Sequence, residues 1–195
     1  MGDRQRALVL YCAARDLDGG NGQIARLAEV GEAVVSDGAE RLLGRVIRRA
    51  LRAGDAECAA VGLEERAALR RAVGDTAGAA RDLCVAAARY TDPVDRARAA
   101  HELAGTALAL GDADAARQAL LVALAWGDAP QKDHARSRLH TLARDTGDQV
   151  GTRRWRSFQR PSLVSLSAYR PRTVARSLAP RLLAWRESLG ERAAS

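Results

Sequence analysis

Glycines at positions 38, 74, 111 and 147 stand 36, 37 and 36 residues apart, each beside an aspartate and each next to apolar runs of helical spacing. This recurrence constrains the chain more than any other feature. A helix pair of that length cannot cover its own apolar face, so pairs repeated at such a period must bury their faces against neighbours. The spacing predicts an array of helix pairs; an irregular helical bundle with coincident Gly-Asp turns is the competing arrangement.

One unit shows the logic. Asp92-Pro93-Val94-Asp95 has the residues of a helix start: Asp92 can cap free amides, Pro93 suits the first helical position, and Asp95 complements the dipole. Ala97, Ala100, Leu103, Ala104, Ala107 and Leu108 then recur at helical spacing. Gly111-Asp112 ends that helix and opens another, with Ala115, Ala116, Ala119, Leu120, Ala123 and Leu124 on one face, closed by Gly127 and Pro130. Gly74-Asp75 precedes Ala79, Ala80, Leu83, Ala86 and Ala87 in the same way. Asp37-Gly38 precedes Leu42, Leu43, Val46, Ile47, Ala50 and Leu51, and Gly147-Asp148 follows Leu139, Leu142 and Ala143.

These residues resemble tetratricopeptide repeats over roughly positions 20 to 150. Leu103-Ala104 fall where the first helix of that repeat carries Leu-Gly, and Ala116 with Ala123-Leu124 fall at the small positions of its second helix. Ala79 and Ala86 take those places after Gly74. The chain departs from the family at the large aromatic positions, which hold Ala or Leu, at the shifted terminal proline, and at Thr152, which replaces a small alanine. The expected fold is all-α: a right-handed superhelical solenoid of about four antiparallel helix pairs with a C-terminal capping helix. The resemblance implies that the first helices line an inner groove, which places Glu64, Arg71, Arg98, His101, His134 and Arg144 there. A plain solvated helix face is the alternative for those six.

The ends fall outside the period. Residues 1–19 are expected to form a lone N-terminal helix, with Leu8, Leu10, Tyr11 and Ala14 packing on the first pair. Residues 20–160 hold the repeats. Residues 161–195 start with a serine-rich connector between Pro161 and Pro171. A last helix over 172–189 follows, with Val174, Leu178, Leu182 and Trp185 as its stripe and Pro180 breaking or kinking it.

Charge is unevenly spread. Of the net +7, residues 149–195 carry ten arginines against Glu187 and Glu191, a balance of +8 that leaves the first 148 residues at −1. The densest part, Arg153-Arg154-Trp155-Arg156-Ser157-Phe158-Gln159-Arg160, sets four guanidinium groups around two rings. Arginine forks suit phosphates and carboxylates, and rings stack on bases or pack on a partner. The competing expectation buries Trp155 and Phe158 against the fourth repeat.

Other chemistry finds little support. Cys12, Cys58 and Cys84 form no CxxC and are expected as reduced thiols of a cytoplasmic protein. No run of about 18 apolar residues suggests a membrane span. Asp16-Leu17-Asp18, with Gly22 and Glu29 beyond, misses the calcium-loop register, and Gly20-Asn21-Gly22 lacks the βαβ setting of a dinucleotide site. His101-Glu102 has no second histidine four residues on, and His134 and His140 do not share a helix face, so no metal and no cofactor is expected. The expected function is a non-enzymatic scaffold binding another protein or a peptide. The alternatives are nucleic-acid binding through the arginine-rich C-terminal segment, and an enzyme with a site between repeats that uses His101, Glu102 or His134.

Overall fold

The computed structural model describes residues 9–14, 23–149 and 151–153. All regular structure there is helical: a short helical stretch at 9–14, then α1 (Gln23–Val34), α2 (Ala39–Arg52), α3 (Ala56–Ala72), α4 (Thr76–Arg89), α5 (Pro93–Ala109), α6 (Ala113–Trp126) and α7 (Ala129–Asp145), with helix resuming at Gln149. The chain divides into two compact units between Thr91 and Asp92.

Helices α2 to α7 alternate between 14 and 17 residues without exception. The alternation comes from the caps. Asp55, Asp75, Asp112 and Asp128 each accept the backbone amide three residues on, Asp92 accepts from Val94 and Asp95, and Asp148 accepts from Gly151. Each cap satisfies an orphan donor and places a negative charge at the positive end of the dipole. The aspartates before the 17-residue helices stand at 55, 92 and 128; the other three stand at 75, 112 and 148. Both series advance by 37 and then 36.

The Gly-Asp dipeptide is a complete hinge. Gly54, Gly74, Gly111 and Gly147 all have φ between 71° and 85°, a conformation that costs glycine little. The next residue's amide then bonds back to the carbonyl five residues earlier, for example Asp75 N to Arg70 O at 2.9 Å and Asp148 N to Ala143 O at 2.8 Å. One aspartate thus closes the outgoing helix with its amide and caps the incoming one with its carboxylate. The first turn is different: Gly38 itself is the N-cap of α2, with no side-chain cap. Gly54-Asp55, which the sequence reading passed over, is a full hinge.

In the first unit α1 packs on α2 and α3, α2 on α3, and α3 on α4; in the second, α6 packs on α5 and α7, and α5 on α7. Within each unit consecutive helices form hairpins across connections of two to four residues. The core is mostly alanine, with Leu43, Leu83 and Tyr90 as large buried residues in the first unit and Leu103, Leu120 and Leu139 in the second. Small residues let the helix axes approach. At Gly62 in α3 a Cβ would lie 2.9 Å from Ile47 Cγ1 of α2.

Two expectations about the N-terminal helix divide. The Tyr11 ring lies on Gly31 of α1, where it leaves no room for a Cβ, so this contact to the first pair is made. Leu10, expected in the apolar face, is 69% exposed. The connector at 161–171, the helix at 172–189 and the loop around Asp16 and Asp18 lie outside the described residues.

Candidate functional site

The six residues expected along a groove occupy equivalent places on the 17-residue helices. Glu64 and His101 are the ninth residues of α3 and α5, Arg98 and His134 the sixth of α5 and α7, and Arg71 and Arg144 the sixteenth of α3 and α7. Their settings differ. Arg71, Arg98, His134 and Arg144 are exposed, whereas Glu64 and His101 are half-buried.

In the first unit Glu64 accepts a short hydrogen bond from the hydroxyl of buried Tyr90, at the C-cap of α4. The phenol thus finds a partner inside an apolar shell, and Glu64 is held by the fold. Nearby, Asp82 is 4% exposed and takes a two-pronged contact from Arg66, Nε to Oδ2 at 2.8 Å and Nη2 to Oδ1 at 2.7 Å. Arg70 adds Nη1 to Oδ2 at 3.1 Å and reaches Glu40 at 2.9 Å. Its bond with Asp82 holds the Arg66 guanidinium above its ordinary range, against the opposing effect of burial. At the α1–α3 contact Arg26 pairs with Asp55. Burial pushes the Asp55 carboxyl up, but the Cys58 amide and Arg26 outweigh it and hold it below the usual range. Burial pushes the Cys58 thiol up to about 11, so this cysteine is a buried filler rather than a nucleophile.

In the second unit the structure brings two expected residues together. The rings of His101 on α5 and His134 on α7 meet nearly edge to face, with centroids 5.0 Å apart and planes at 63°. His101 Nε2 lies 3.1 Å from Gln131 O; a carbonyl only accepts, so Nε2 carries the proton and Nδ1 the lone pair. Nδ1 is buried and has no hydrogen-bond partner among the described residues. Burial holds the ring below its ordinary pKa, the Gln131 carbonyl opposes this, and His134 and Arg138 add to the lowering. Gln131 also donates from Nε2 to Val94 O at 3.2 Å, tying the first turns of α5 and α7. The Arg138 guanidinium lies against Gly105, and Arg96 stacks over Trp126 at 4.7 Å. Exposed Arg98 meets Asp95 at 3.1 Å, and Arg144 meets Asp145 at 3.2 Å. This face can offer guanidinium and imidazole donors to a ligand.

Arg153 is exposed at the last described position. Arg154, Trp155, Arg156, Phe158 and Arg160 lie outside the described residues. Among the described residues no group of three His, Cys, Asp or Glu side chains could share a metal ion, and no helix is long and apolar enough to cross a membrane. The sequence reading missed the Arg66–Asp82–Arg70 cluster and the arginines of α2. The α2 arginines had a readable signal, since Arg41, Arg45, Arg48 and Arg52 recur at helical spacing.

Comparison of this chain with protein-family models, with curated proteins and with solved structures finds no match.

Proposed function

We propose that the protein is a non-enzymatic scaffold that binds another protein or a peptide along the 17-residue helices of a tetratricopeptide-like array. On this reading about four helix pairs stack into a right-handed solenoid, and the first helices carry the binding face. The observation that carries it is the packing of α1 on α3 and of α5 on α7, in which the first helix of one pair meets the first helix of the next. Packing of that kind lets neighbouring first helices share a face, as His101 and His134 do. Arg98 and His134 are both sixth in their helices, and both are exposed. A rigid face of this sort binds without a large ordering cost.

The test is affinity capture with the wild-type chain and with R98A/H134A/R144A, followed by titration calorimetry with the purified partner. The reading expects a partner that binds the wild type and loses at least about 10-fold in affinity to the variant, while the helical circular dichroism is kept. Equal binding by both proteins would reject it.

A further inference from the structure

Helix α2 carries five arginines and one acid in 14 residues, AERLLGRVIRRALR, a net +4 within a 148-residue body whose balance is −1. Arg41, Arg45, Arg48 and Arg52 follow one another at intervals of four, three and four residues. At 100° per residue they fall within about 60° of arc and span roughly 16 Å of axis. All four are exposed. The opposite face is held by the fold, with Leu43, Gly44, Ile47 and Ala50 buried.

Three acids on α2 or on the elements packed against it are engaged by other cations. Glu29 of α1 binds Arg49 at 2.6 and 2.8 Å, Glu40 binds Arg70 of α3, and Asp55 binds Arg26 of α1. Arg41, Arg45, Arg48 and Arg52 have no ion-pair partner among the described residues. Four like charges held in a line repel one another, and local pairing does not relieve them.

We propose that this face of α2 docks on the phosphodiester backbone of a nucleic-acid duplex. A row of roughly 16 Å is long enough to meet several phosphates of a duplex, which carries one charge per about 1.7 Å of axis. All four guanidinium groups can be neutralised together, each by a charge-assisted and often two-pronged bond. Duplex counterions are condensed and are released on contact, a gain that an acidic protein surface does not offer to the same degree. An anionic membrane fits less well, because interfacial helices anchor through an apolar face and that of α2 is already buried. A single strand fits less well too, because α2 has no aromatic residue on which bases could stack. Contacts of this kind read no sequence.

Fluorescence anisotropy of the full chain with a labelled 20-base-pair DNA duplex of arbitrary sequence tests this, with salt stepped between about 50 and 200 mM. Each phosphate contact contributes about −0.9 to the slope of log K against log salt. The variant R41Q/R45Q/R48Q/R52Q should lose three to four units of slope, so that wild-type affinity falls about 100-fold more steeply over that range. The variant R153Q/R154Q/R156Q/R160Q, run in parallel, should keep those units. If the α2 variant loses its helical circular dichroism, R45Q/R48Q replaces it and should lose about half as much slope. An unchanged slope in the folded α2 variant overturns the proposal. So does a wild type that leaves the duplex unbound, including one that binds anionic phospholipid vesicles or polyglutamate instead.

Discussion

His101 and His134, from α5 and α7, meet ring to ring at 5.0 Å, and only one of them is shielded from water. His134 is exposed. His101 already uses Nε2–H on the Gln131 carbonyl, so a second proton would have to enter at buried Nδ1, beside His134 and Arg138. The contact between α5 and α7 therefore depends on a neutral imidazole.

A pH dependence follows from this. The folded pKa of His101 is below the ordinary value of 6.5. The unfolded chain therefore binds more protons between those two values, and stability rises with pH across that window. The contribution is fully present above about pH 6.5 and is lost as pH falls toward the folded pKa. Thermal unfolding followed from pH 8 to 5 should show the midpoint falling below about 6.5, and H101Q should flatten the fall. A fall of equal size in H101Q would show that other groups cause it.

The cap series gives a second expectation. Asp55 caps α3 through the Cys58 amide at 3.0 Å and also binds Arg26, whereas Asp75 caps α4 through the Gly78 amide at 2.8 Å and is farther from its cation, Arg70, at 3.7 Å. D75A should cost about 1 kcal/mol, the usual loss for a cap. D55A removes a cap and a partly buried ion pair, so it should cost more, about 2 kcal/mol. The depressed carboxyl of Asp55 adds stability above its unfolded pKa, and this is lost as pH falls through the folded value. Urea unfolding of both variants at pH 7 and at about pH 2.5, below the ordinary carboxylate range, should show the gap between them narrowing in acid.

The alternation of helices was legible because it is written in local chemistry. Gly74-Asp75, Gly111-Asp112 and Gly147-Asp148 need no tertiary information to act as turns, and the Ala and Leu positions after Gly74 and Gly111 are buried where the 3.6-residue period puts them. Gly54-Asp55 was missed because its spacing to Gly74 is that of a single helix rather than of a pair. The site was less legible. That His101 meets His134 depends on how α5 lies against α7, and no spacing in the sequence encodes that. The same holds for Asp82, a charged residue in a helix otherwise lined with alanine, which looks exposed until Arg66 and Arg70 are seen around it.

That cluster yields the third expectation, and the second unit supplies its control. One period of 37 residues carries Arg66 onto Leu103 and Asp82 onto Ala119, both fully buried in the second unit. An apolar pair thus fills in one unit the place that an ion pair fills in the other. Removing the carboxylate alone leaves two guanidinium groups, each about one-fifth exposed, facing an apolar gap. D82A should therefore cost about 3 kcal/mol. R66L/D82A, which copies the other unit, should recover most of this, because a well-packed apolar pair often equals a buried ion pair. Urea midpoints and slopes of the three proteins provide the check. A double variant no more stable than D82A would mean that the α3–α4 contact cannot repack around leucine.

The last expectation concerns the approach of α2 to α3. Gly62 lies mid-helix, where alanine would ordinarily add about 1 kcal/mol of helix stability. Here a Cβ would stand 2.9 Å from Ile47 Cγ1 and 3.8 Å from Val30 Cγ2. Ile47 is 4% exposed and Val30 2%, so neither can swing into solvent. Overpacking of this kind costs about 1 to 3 kcal/mol, which exceeds the propensity gain. G62A should therefore be destabilising on balance, by about 1 kcal/mol. I47A alone should cost about 3 kcal/mol through the cavity it leaves. Combined, the new methyl enters space vacated by the isoleucine, so G62A/I47A should cost less than the sum of the single changes, by about 1 kcal/mol or more. Chemical denaturation of all four proteins measures this coupling directly, and strict additivity would show that α2 and α3 move apart under the added methyl group.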